Sequence, residues 1–283
     1  MMHLSEMICI VTGANSGVGK SATILLAERG ATVHMICRNP RKGEAALVEI
    51  QRKSKSSSLF LHIADLSSLA AVRAVARELA ELDRIDLLVN NAGVYRARRE
   101  FSEDGFEMTM AVNHLANYLL THLLLDRIVE ANGQVINVSS ESHRSGDLRR
   151  APLESIVRGE GRYSGLKAYS DSKLANVLFT FELARRHGGD GMTTNAVHPG
   201  VLSTRIWNQN ADPVSLIVRL FKPVMRRPKR GGEAVLRLAS DPDLRGVSGK
   251  YFKVFDESEP AEMANDRALA SELWDLSAEL TGC

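Results

Sequence analysis

The sequence predicts a doubly wound α/β fold, in which a seven-stranded, mainly parallel sheet is covered by helices on both faces. Three observations predict it. Short apolar segments alternate with helical patterns along the chain, each apolar segment is nearly continuous, and a glycine-rich turn follows the first of them. Near-continuous apolar strands are typical of parallel sheets that are buried on both faces by crossover helices. Right-handed crossovers then give a doubly wound sheet.

The individual elements follow in order along the chain. The predicted strands share an apolar run bounded by turn residues and cover 7–11, 31–37, 59–64, 85–90, 134–139, 193–198 and 249–255. The predicted helices share apolar residues at helical spacing and cover 19–29, 41–53, 69–82, 105–130, 169–186, 231–239 and 261–280. No long linker or internal repeat interrupts this order, which predicts a single domain over residues 1–283. Segments 141–167 and 203–230 break the alternation after predicted strands, and we expect them to shape a substrate pocket.

Composition indicates an ordinary globular protein. The 283 residues are 44% hydrophobic and 25% charged, and the net charge of +2 gives no general argument for nucleic-acid binding. The three cysteines, Cys9, Cys37 and Cys283, are too few and too scattered for a disulfide framework or a zinc site, which favours a cytoplasmic setting. Residues 1–10 predict the approach to a strand rather than a signal peptide, and no apolar stretch reaches the roughly 20 residues of a spanning helix.

A glycine-rich turn joins the first predicted strand to the first predicted helix. Its glycines stand at G-x-x-x-G-x-G spacing. In Rossmann-type folds such a turn brings the backbone close to a pyrophosphate, and the following helix N-terminus offers free N–H groups and a positive dipole end. The sequence therefore predicts a dinucleotide site, contacted in this turn by Gly13, Asn15, Ser16, Gly17, Val18 and Gly19.

Two alternatives stay open for this turn. Gly19-Lys20-Ser21 matches the end of the phosphate loop of nucleoside triphosphatases, although five residues rather than four separate Gly13 from Gly19. The second alternative is a glycine-rich turn that binds no ligand. The position of the turn directly after the first strand favours the dinucleotide site over both alternatives.

The end of the second predicted strand sets the expected choice of cofactor. Arg38 and Asn39 stand there, where an acidic residue would bind the ribose hydroxyls of NAD. An arginine instead pairs with the 2′-phosphate of NADP. Arg38 therefore predicts a preference for NADP(H), and NAD(H) stays the alternative if Arg38 is an ordinary exposed arginine. Asp65 and Leu66, at the end of the third strand, are expected beside the adenine.

The Tyr169-x-x-x-Lys173 step places a phenol and an ammonium on one face of a predicted helix. A free phenol has a pKa of about 10. A nearby cation favours the tyrosinate and lowers that pKa, so that tyrosine becomes an acid or base nearer to neutral pH. A half-buried core tyrosine is the alternative interpretation, but the glycine turn and Ser140 agree with a catalytic one.

Five motifs occur in the order found in the short-chain dehydrogenase/reductases. They are the glycine turn 12–19, Asn90-Asn91-Ala92-Gly93, Ser139-Ser140, Tyr169-x-x-x-Lys173 and Pro199-Gly200. The chain resembles this family over roughly residues 7–255. It most resembles the retinol dehydrogenase-like group, through EDGFEMTMAVNH at 103–114, YSDSKLANVLF at 169–179, VHPG at 197–200 and Lys250-Tyr251-Phe252.

The resemblance implies a catalytic set of Asn113, Ser140, Tyr169 and Lys173. Tyr169 would give a proton in carbonyl reduction and take one in alcohol oxidation, while Ser140 would hydrogen-bond the substrate oxygen. Lys173 would bind the nicotinamide ribose, and Asn113 would hold a water that links Lys173 to solvent. Ser139 is the alternative to Ser140. The remaining implied cofactor contacts are Asn91, Ala92, Gly93, Tyr169, Lys173, Pro199, Gly200, Leu202 and Thr204.

These motifs predict an NADP(H)-dependent oxidoreductase that interconverts a carbonyl and an alcohol on a small to medium apolar substrate. A catalytically silent NADP(H)-binding regulatory protein and a reductase of a conjugated double bond are the alternatives.

His114 and His198 have no neighbouring metal ligands in the sequence, which favours structural roles. Segment 216–230 predicts a substrate lid, with contact to an anionic membrane surface as the alternative. The resemblance also implies a homo-oligomer formed through the helices after strands four and five.

Overall fold

Eight strands form one sheet in the computed structural model of the protein, which describes residues 4–200 and 228–283. The strands are β1 Ile8–Thr12, β2 Thr32–Cys37, β3 Leu59–Ile63, β4 Leu87–Asn90, β5 Gln134–Val138, β6 Thr193–His198, β7 Lys250–Lys253 and β8 Asp256–Glu257. Their order across the sheet is β3-β2-β1-β4-β5-β6-β7-β8. Strands β1 to β7 pair in parallel, which confirms the predicted doubly wound sheet.

The eighth strand was not predicted. It pairs antiparallel with β7, with Phe252 opposite Glu257 and Lys253 opposite Asp256. A strand of two exposed acidic residues carries no apolar pattern, so the sequence pattern predicted seven strands and the sheet has eight.

Helices cover both faces of the sheet. The described helices are α1 Gly17–Ala27, α2 Pro40–Ser54, α3 Leu69–Ala80, α4 Met108–Met110, α5 Ala116–Glu130, α6 Leu153–Val157, α7 Gly165–His187, α8 Pro228–Ser240 and α9 Arg267–Thr281. Alternate residues of β1 enter opposite cores, with Cys9 and Val11 facing α1, α2 and α8 and Ile10 facing the other face. Among the described residues, none of the helices combines the length and apolar character needed to cross a membrane.

Several predicted helices have different boundaries in the structure, the last of them beginning at Arg267 rather than at residue 261, and two of these differences concern the site. The predicted helix 105–130 begins at Met108 and contains a π-helical turn at Ala111–Leu115 between α4 and α5. Such turns often occur at functional sites. The predicted helix 169–186 begins four residues earlier, at Gly165, because the Ser164 side chain caps α7 by accepting from the N–H of Lys167.

Segment 141–167 is packed against the body of the protein. It contains a 3₁₀ turn at Glu141–Ser145 and helix α6. Its buried apolar residues, Leu148, Leu153 and Val157 among them, join the same core as α7 and α9. Segment 203–230 lies outside the described residues except for its last three positions, at the start of α8.

Candidate active site

The glycine turn lies between the end of β1 and the start of α1. Gly13 and Gly17 have φ angles of +65° and +58°, in the left-handed region where glycine is favoured. A Cβ at Gly19 would collide with Asn91 Nδ2 and lie 2.7 Å from the Gly13 carbonyl oxygen. Ser16 is the N-cap of α1, and within the described chain its side chain does not cap the helix. The first N–H groups of α1 therefore receive no cap from the Ser16 side chain and lie beside the tight glycine turn. A pyrophosphate requires such a site.

The tetrapeptide after β4 is fixed against this turn. The Thr12 hydroxyl oxygen accepts hydrogen bonds from the backbone N–H groups of Asn91 and Ala92, both at 2.9 Å. The Asn91 side chain in turn donates to the Thr12 carbonyl at 2.7 Å. Asn90 points into the sheet and donates to Asn137 Oδ1 at 2.9 Å. Asn91 and Ala92 therefore border the cradle, while Asn90 stabilises the sheet.

The predicted adenosine end lies at the ends of β2 and β3. Arg38 and Asn39 are exposed there, and Asn39 caps α2 by accepting from the Lys42 N–H at 3.0 Å. Asp65 accepts from both the N–H and the hydroxyl of Ser67, at 3.0 and 2.8 Å. One carboxylate oxygen of Asp65 is therefore used to fix its own turn.

Tyr169 and Ser140 meet through their side chains. Tyr169 is 7% exposed, and its phenol hydrogen-bonds the hydroxyl of Ser140. Burial raises the pKa of Tyr169 to about 12, while the bond from Ser140 acts in the opposite direction. The ring of Tyr95 packs edge-on against Tyr169, with 6.2 Å between the ring centres. The described chain therefore keeps the phenol protonated at neutral pH.

Lys173 lies one helical turn beyond Tyr169 and is 3% exposed. Its ammonium donates to the carbonyl of Val138 at 2.9 Å and lies 5.8 Å from the centre of the Tyr169 ring. Burial lowers the pKa of Lys173 to about 8. We expected Lys173 to lower the pKa of Tyr169. In the described chain, burial raises the pKa of the phenol, and the opposing contribution comes from Ser140 rather than from Lys173.

The two neighbouring serines have different partners. The hydroxyl of Ser139 is buried and donates to the Lys173 carbonyl at 2.8 Å, which ties β5 to α7. The hydroxyl of Ser140 accepts from the N–H of Ser142 at 3.2 Å and also bonds Tyr169. This geometry favours Ser140 over Ser139 as the serine that would contact a substrate oxygen.

Asn113 lies in the π-helical turn and is fully buried. Its side chain exchanges two hydrogen bonds with the backbone of Val94, at 2.7 and 3.0 Å, and donates to Ser172 at 2.9 Å. Its carbonyl accepts from Asn117 at 2.7 Å. A Cβ at Gly93 would lie 3.2 Å from Asn113 Oδ1 and 3.5 Å from Lys173 Nζ, so these groups are neighbours. The water-holding role of Asn113 stays a prediction.

The remaining predicted contacts follow β6. Pro199 is buried beside the strand end, and Gly200 has a φ of +95°. Leu202 and Thr204 lie outside the described residues, as does most of the predicted lid at 216–230.

Two histidines border this site: sequence reasoning expected a structural role for His198 and missed His143. His198 Nδ1 accepts from the N–H of Glu141 at 3.2 Å, and His143 Nδ1 donates to the carbonyl of Ser140 at 2.7 Å. His114 instead bonds Ser277, at 2.9 Å. Across residues 4–200 and 228–283, no group of three His, Cys, Asp or Glu residues could hold a metal ion. The VHPG motif marked His198, but no local pattern indicated which group it would contact.

Comparison with known proteins decides the family. The short chain dehydrogenase family matches residues 7–151, and retinol dehydrogenase 12 of Mus musculus is 42% identical over 99% of this chain and 88% of its own length. The chain belongs to the short-chain dehydrogenase family. Human retinol dehydrogenase 13 is 39% identical over 96% of this short-chain dehydrogenase and 84% of its own length. The predicted resemblance to the retinol dehydrogenase-like group is therefore confirmed.

Solved structures of similar proteins agree with the fold of this short-chain dehydrogenase. A protein from Mycobacterium Paratuberculosis has a TM-score of 0.77 and 31% identity, covering 99% of this chain and 95% of its own. A blue fluorescent protein from a metagenomic library, in complex with NADPH, has a TM-score of 0.69 and 27% identity, covering 89% and 98%. The family and the fold together confirm that this short-chain dehydrogenase is an oxidoreductase.

Proposed function

We propose that this chain is an NADP(H)-dependent oxidoreductase that interconverts an apolar carbonyl compound and its alcohol, with Tyr169 as the proton donor and acceptor. The observation that carries the proposal is the hydrogen bond between the buried Tyr169 phenol and the half-buried Ser140 hydroxyl, one helical turn from the ammonium of Lys173. Two hydroxyl groups that share a hydrogen bond can both bond a single oxygen atom placed beside them. That arrangement suits a carbonyl oxygen that becomes an alkoxide.

The described residues fit a nicotinamide dinucleotide. When bound, this cofactor would supply or accept the hydride. The positive φ angles of Gly13 and Gly17 form the turn, and the close packing of Gly19 against Asn91 and Gly13 lets α1 begin directly beside the end of β1, where its free N–H groups would bind a diphosphate. The exposed Arg38 would pair with a 2′-phosphate, and one structural relative is in complex with NADPH. These points support NADP(H) over NAD(H).

The charge state of Tyr169 suits proton donation. With a pKa raised to about 12 by burial, the phenol is protonated at neutral pH and can donate to a carbonyl oxygen. Ser140 would donate a second hydrogen bond to that oxygen. Tyr169 would then recover a proton from the side of Lys173, whose ammonium lies 5.8 Å from the ring. In alcohol oxidation the same proton transfers would occur in reverse, and Tyr169 would start as the tyrosinate that accepts the proton of the alcohol.

The residues beside the Tyr169 hydroxyl support an apolar alcohol or aldehyde as the substrate. Tyr95 packs edge-on against Tyr169 and adds an aromatic surface beside the reacting hydroxyl. The named relatives are retinol dehydrogenases, and we extend to this chain only the class of their substrate, an apolar alcohol. Segment 141–167, which follows Ser140 directly, is packed into the core and would form a rigid part of the pocket wall.

A substrate panel tests the proposal. Apolar aldehydes and ketones are offered with NADPH or NADH, and cofactor absorbance is followed. Tyr169→Phe is expected to lower kcat by about 10³-fold, within the range for loss of a general acid, while the NADPH Kd stays within about threefold. The matched control is Tyr118→Phe, since the buried Tyr118 hydroxyl has no hydrogen-bond partner among the described residues. Retained turnover in Tyr169→Phe would overturn the mechanism, and NADPH binding without any turnover would favour a regulatory protein.

A further inference from the structure

Two buried histidines hold the peptide group that follows Ser140. The carbonyl oxygen of this group belongs to Ser140 and accepts from His143 Nδ1 at 2.7 Å. The N–H of the same group belongs to Glu141 and donates to His198 Nδ1 at 3.2 Å. The oxygen and the N–H of a trans peptide point in opposite directions, so the group is gripped from both sides.

His143 is fully buried and uses both ring nitrogens. Its Nδ1 donates to Ser140, while its Nε2 accepts from the N–H of Ala261 at 2.9 Å. A ring that donates at one nitrogen and accepts at the other is neutral, in a single tautomer. The ring also packs against Tyr251, with 4.7 Å between the ring centres. His143 thus links the Ser140 turn to the segment before α9.

His198 is the last residue of β6 and is 5% exposed. Because its Nδ1 accepts from a backbone N–H, the neutral ring carries its proton on Nε2, 4.0 Å from the carboxylate of Glu141. That carboxylate is also paired with Arg144 at 2.8 Å and Lys253 at 3.3 Å. Because His198 belongs to β6, the peptide group is held on this side by the sheet, which is a rigid support.

We propose that His143 and His198 are positioning residues that fix the Ser140–Glu141 peptide group and thereby hold the Ser140 hydroxyl against Tyr169. The fixed peptide keeps Ser140 extended, with a ψ of 154°, and keeps the Ser142 N–H 3.2 Å from the Ser140 hydroxyl oxygen. If the peptide rotates, that capping bond is lost and the hydroxyl moves. A displacement of about 1 Å at a reacting group can cost roughly 10²-fold in rate.

The charges around both rings agree with neutral histidines at pH 7. Burial lowers the pKa of His198 to about 4, against the opposite effect of Glu141 and with a further lowering by Lys253 and His143. Burial also lowers the pKa of His143. Protonation of His198 would remove the acceptor for the Glu141 N–H, so this contact requires the neutral ring, whereas protonation of His143 would remove only its bond to Ala261.

Asparagine and glutamine variants separate the two ring nitrogens. The amide of asparagine replaces Nδ1 of histidine, and the amide of glutamine replaces Nε2. His143→Asn keeps a donor for the Ser140 carbonyl and loses the acceptor for Ala261, whereas His143→Gln does the reverse. His198→Asn keeps an acceptor for the Glu141 N–H, and His198→Gln places its amide beyond it. Each pair loses similar packing. The backbone N–H of His143 also donates to the Ser140 carbonyl, at 3.0 Å, and no substitution removes that bond, but only the asparagine variants keep the side-chain bonds to the peptide group.

This inference rests on the proposed function, in which Ser140 and Tyr169 bond the substrate oxygen. We expect both asparagine variants to keep kcat within about fivefold of the wild type and both glutamine variants to lose about 10²-fold. All rates are normalised to the concentration of NADPH-binding sites, so that misfolded protein does not count. The NADPH Kd is expected to stay within about threefold. His34→Asn, at a buried histidine that contacts His62 at 3.0 Å in another part of the sheet, is the control and should leave kcat unchanged.

Equal losses in the Asn and Gln variants of either histidine, or a Gln variant with wild-type kcat, would overturn the proposal. A second readout does not need turnover. The amide proton of Glu141 should exchange at least about tenfold faster in His198→Gln than in His198→Asn, and equal exchange rates count against the grip. Turnover by the wild type and its loss in Tyr169→Phe decide the proposed function separately, since amide exchange reports the grip even without substrate.

Discussion

Lys173 donates a hydrogen bond from its ammonium to the backbone carbonyl of Val138, at 2.9 Å, inside the protein. A carbonyl dipole compensates a buried positive charge only in part, and burial accordingly lowers the pKa of Lys173 to about 8. The ammonium is thus held beside Tyr169 at an energetic cost. Strained or costly groups of this kind are typical of catalytic sites.

This cost predicts a pH-dependent stability. Between pH 8 and 10.5 the folded chain holds fewer protons at Lys173 than the unfolded chain, so stability rises with pH across that window. Below pH 8 the charged Lys173 lowers the free energy of unfolding by about 3 kcal/mol, relative to its value at the upper end of this pH window. Lys173→Met removes this cost, and we expect its stability relative to the wild type to be higher at pH 7 than at pH 10 by about 2–3 kcal/mol.

Urea unfolding at the two pH values measures this difference. Lys42→Met, at an exposed position in the first turn of α2, controls for general alkaline effects. The same difference between Lys173→Met and the wild type at both pH values would rule out a costly buried ammonium. Turnover should be lost in Lys173→Met at either pH.

Arg38 is predicted to set the cofactor preference. It is exposed at the end of β2, next to the glycine turn, where Gly13 N–H donates to the Ile36 carbonyl at 2.9 Å. A charge-assisted bond to a phosphate is worth about 1.5–3 kcal/mol. Arg38→Ala should therefore raise the NADPH Kd about 10- to 100-fold and leave the NADH Kd within about threefold, as measured by cofactor titration. Arg52→Ala, at the other end of α2, is the control, and equal losses for both cofactors would exclude a 2′-phosphate contact.

Gly19 is predicted to tolerate no side chain. An added Cβ would collide with Asn91 Nδ2, a side-chain atom held by its bond to the Thr12 carbonyl, and would approach the Gly13 backbone carbonyl to 2.7 Å, where the backbone cannot move cheaply. Gly19→Ala should lower stability by about 1–3 kcal/mol and weaken NADPH binding at least about tenfold, because the cradle must open. The control is Gly189→Ala, where an added Cβ meets no described atom within 4 Å. Tm and NADPH Kd values unaffected in Gly19→Ala would mean that the cradle is not tightly packed.

The sequence was sufficient for the parallel sheet and for most of the site because both are encoded locally. Each parallel strand is buried on two faces and reads as an apolar run, and the glycine turn and the Tyr169-x-x-x-Lys173 step are short patterns. Ser140, Tyr169 and Lys173 do meet in the structure as predicted. Their roles in catalysis stay predictions.

The features that the sequence did not predict depend mostly on contacts between distant parts of the chain. His143 bonds Ala261, and His198 bonds Glu141, and no periodicity reveals which group a buried histidine will contact. The predicted fall in the pKa of Tyr169 did not appear in the chain alone, because burial depends on the whole fold. The π-helical turn at Asn113 was also missed, since its residues fit an ordinary helical pattern.

The predicted oligomer would use the helices after β4 and β5, but α9 packs on both α5 and α7 in the described chain. His114, in the π-helical turn before α5, donates to or accepts from Ser277 of α9 at 2.9 Å. Any contact between copies through this face would have to include α9 or displace it. Homo-oligomer formation through α5 and α7 therefore stays a prediction, which sedimentation of the intact chain would test.

Trp274 is predicted to be the main anchor of α9. Its ring meets Tyr118 edge-on at 5.1 Å and stacks with Phe179 at 5.8 Å, and the Arg186 guanidinium lies 4.8 Å from its centre. Trp274→Ala should lower the free energy of unfolding by about 3–5 kcal/mol, since a large cavity would form between α5, α7 and α9. Thermal and urea unfolding measure it, with the exposed Glu279→Ala on the same helix expected within about 0.5 kcal/mol of the wild type. A Trp274→Ala chain as stable as Glu279→Ala would show that α9 contributes little to the fold.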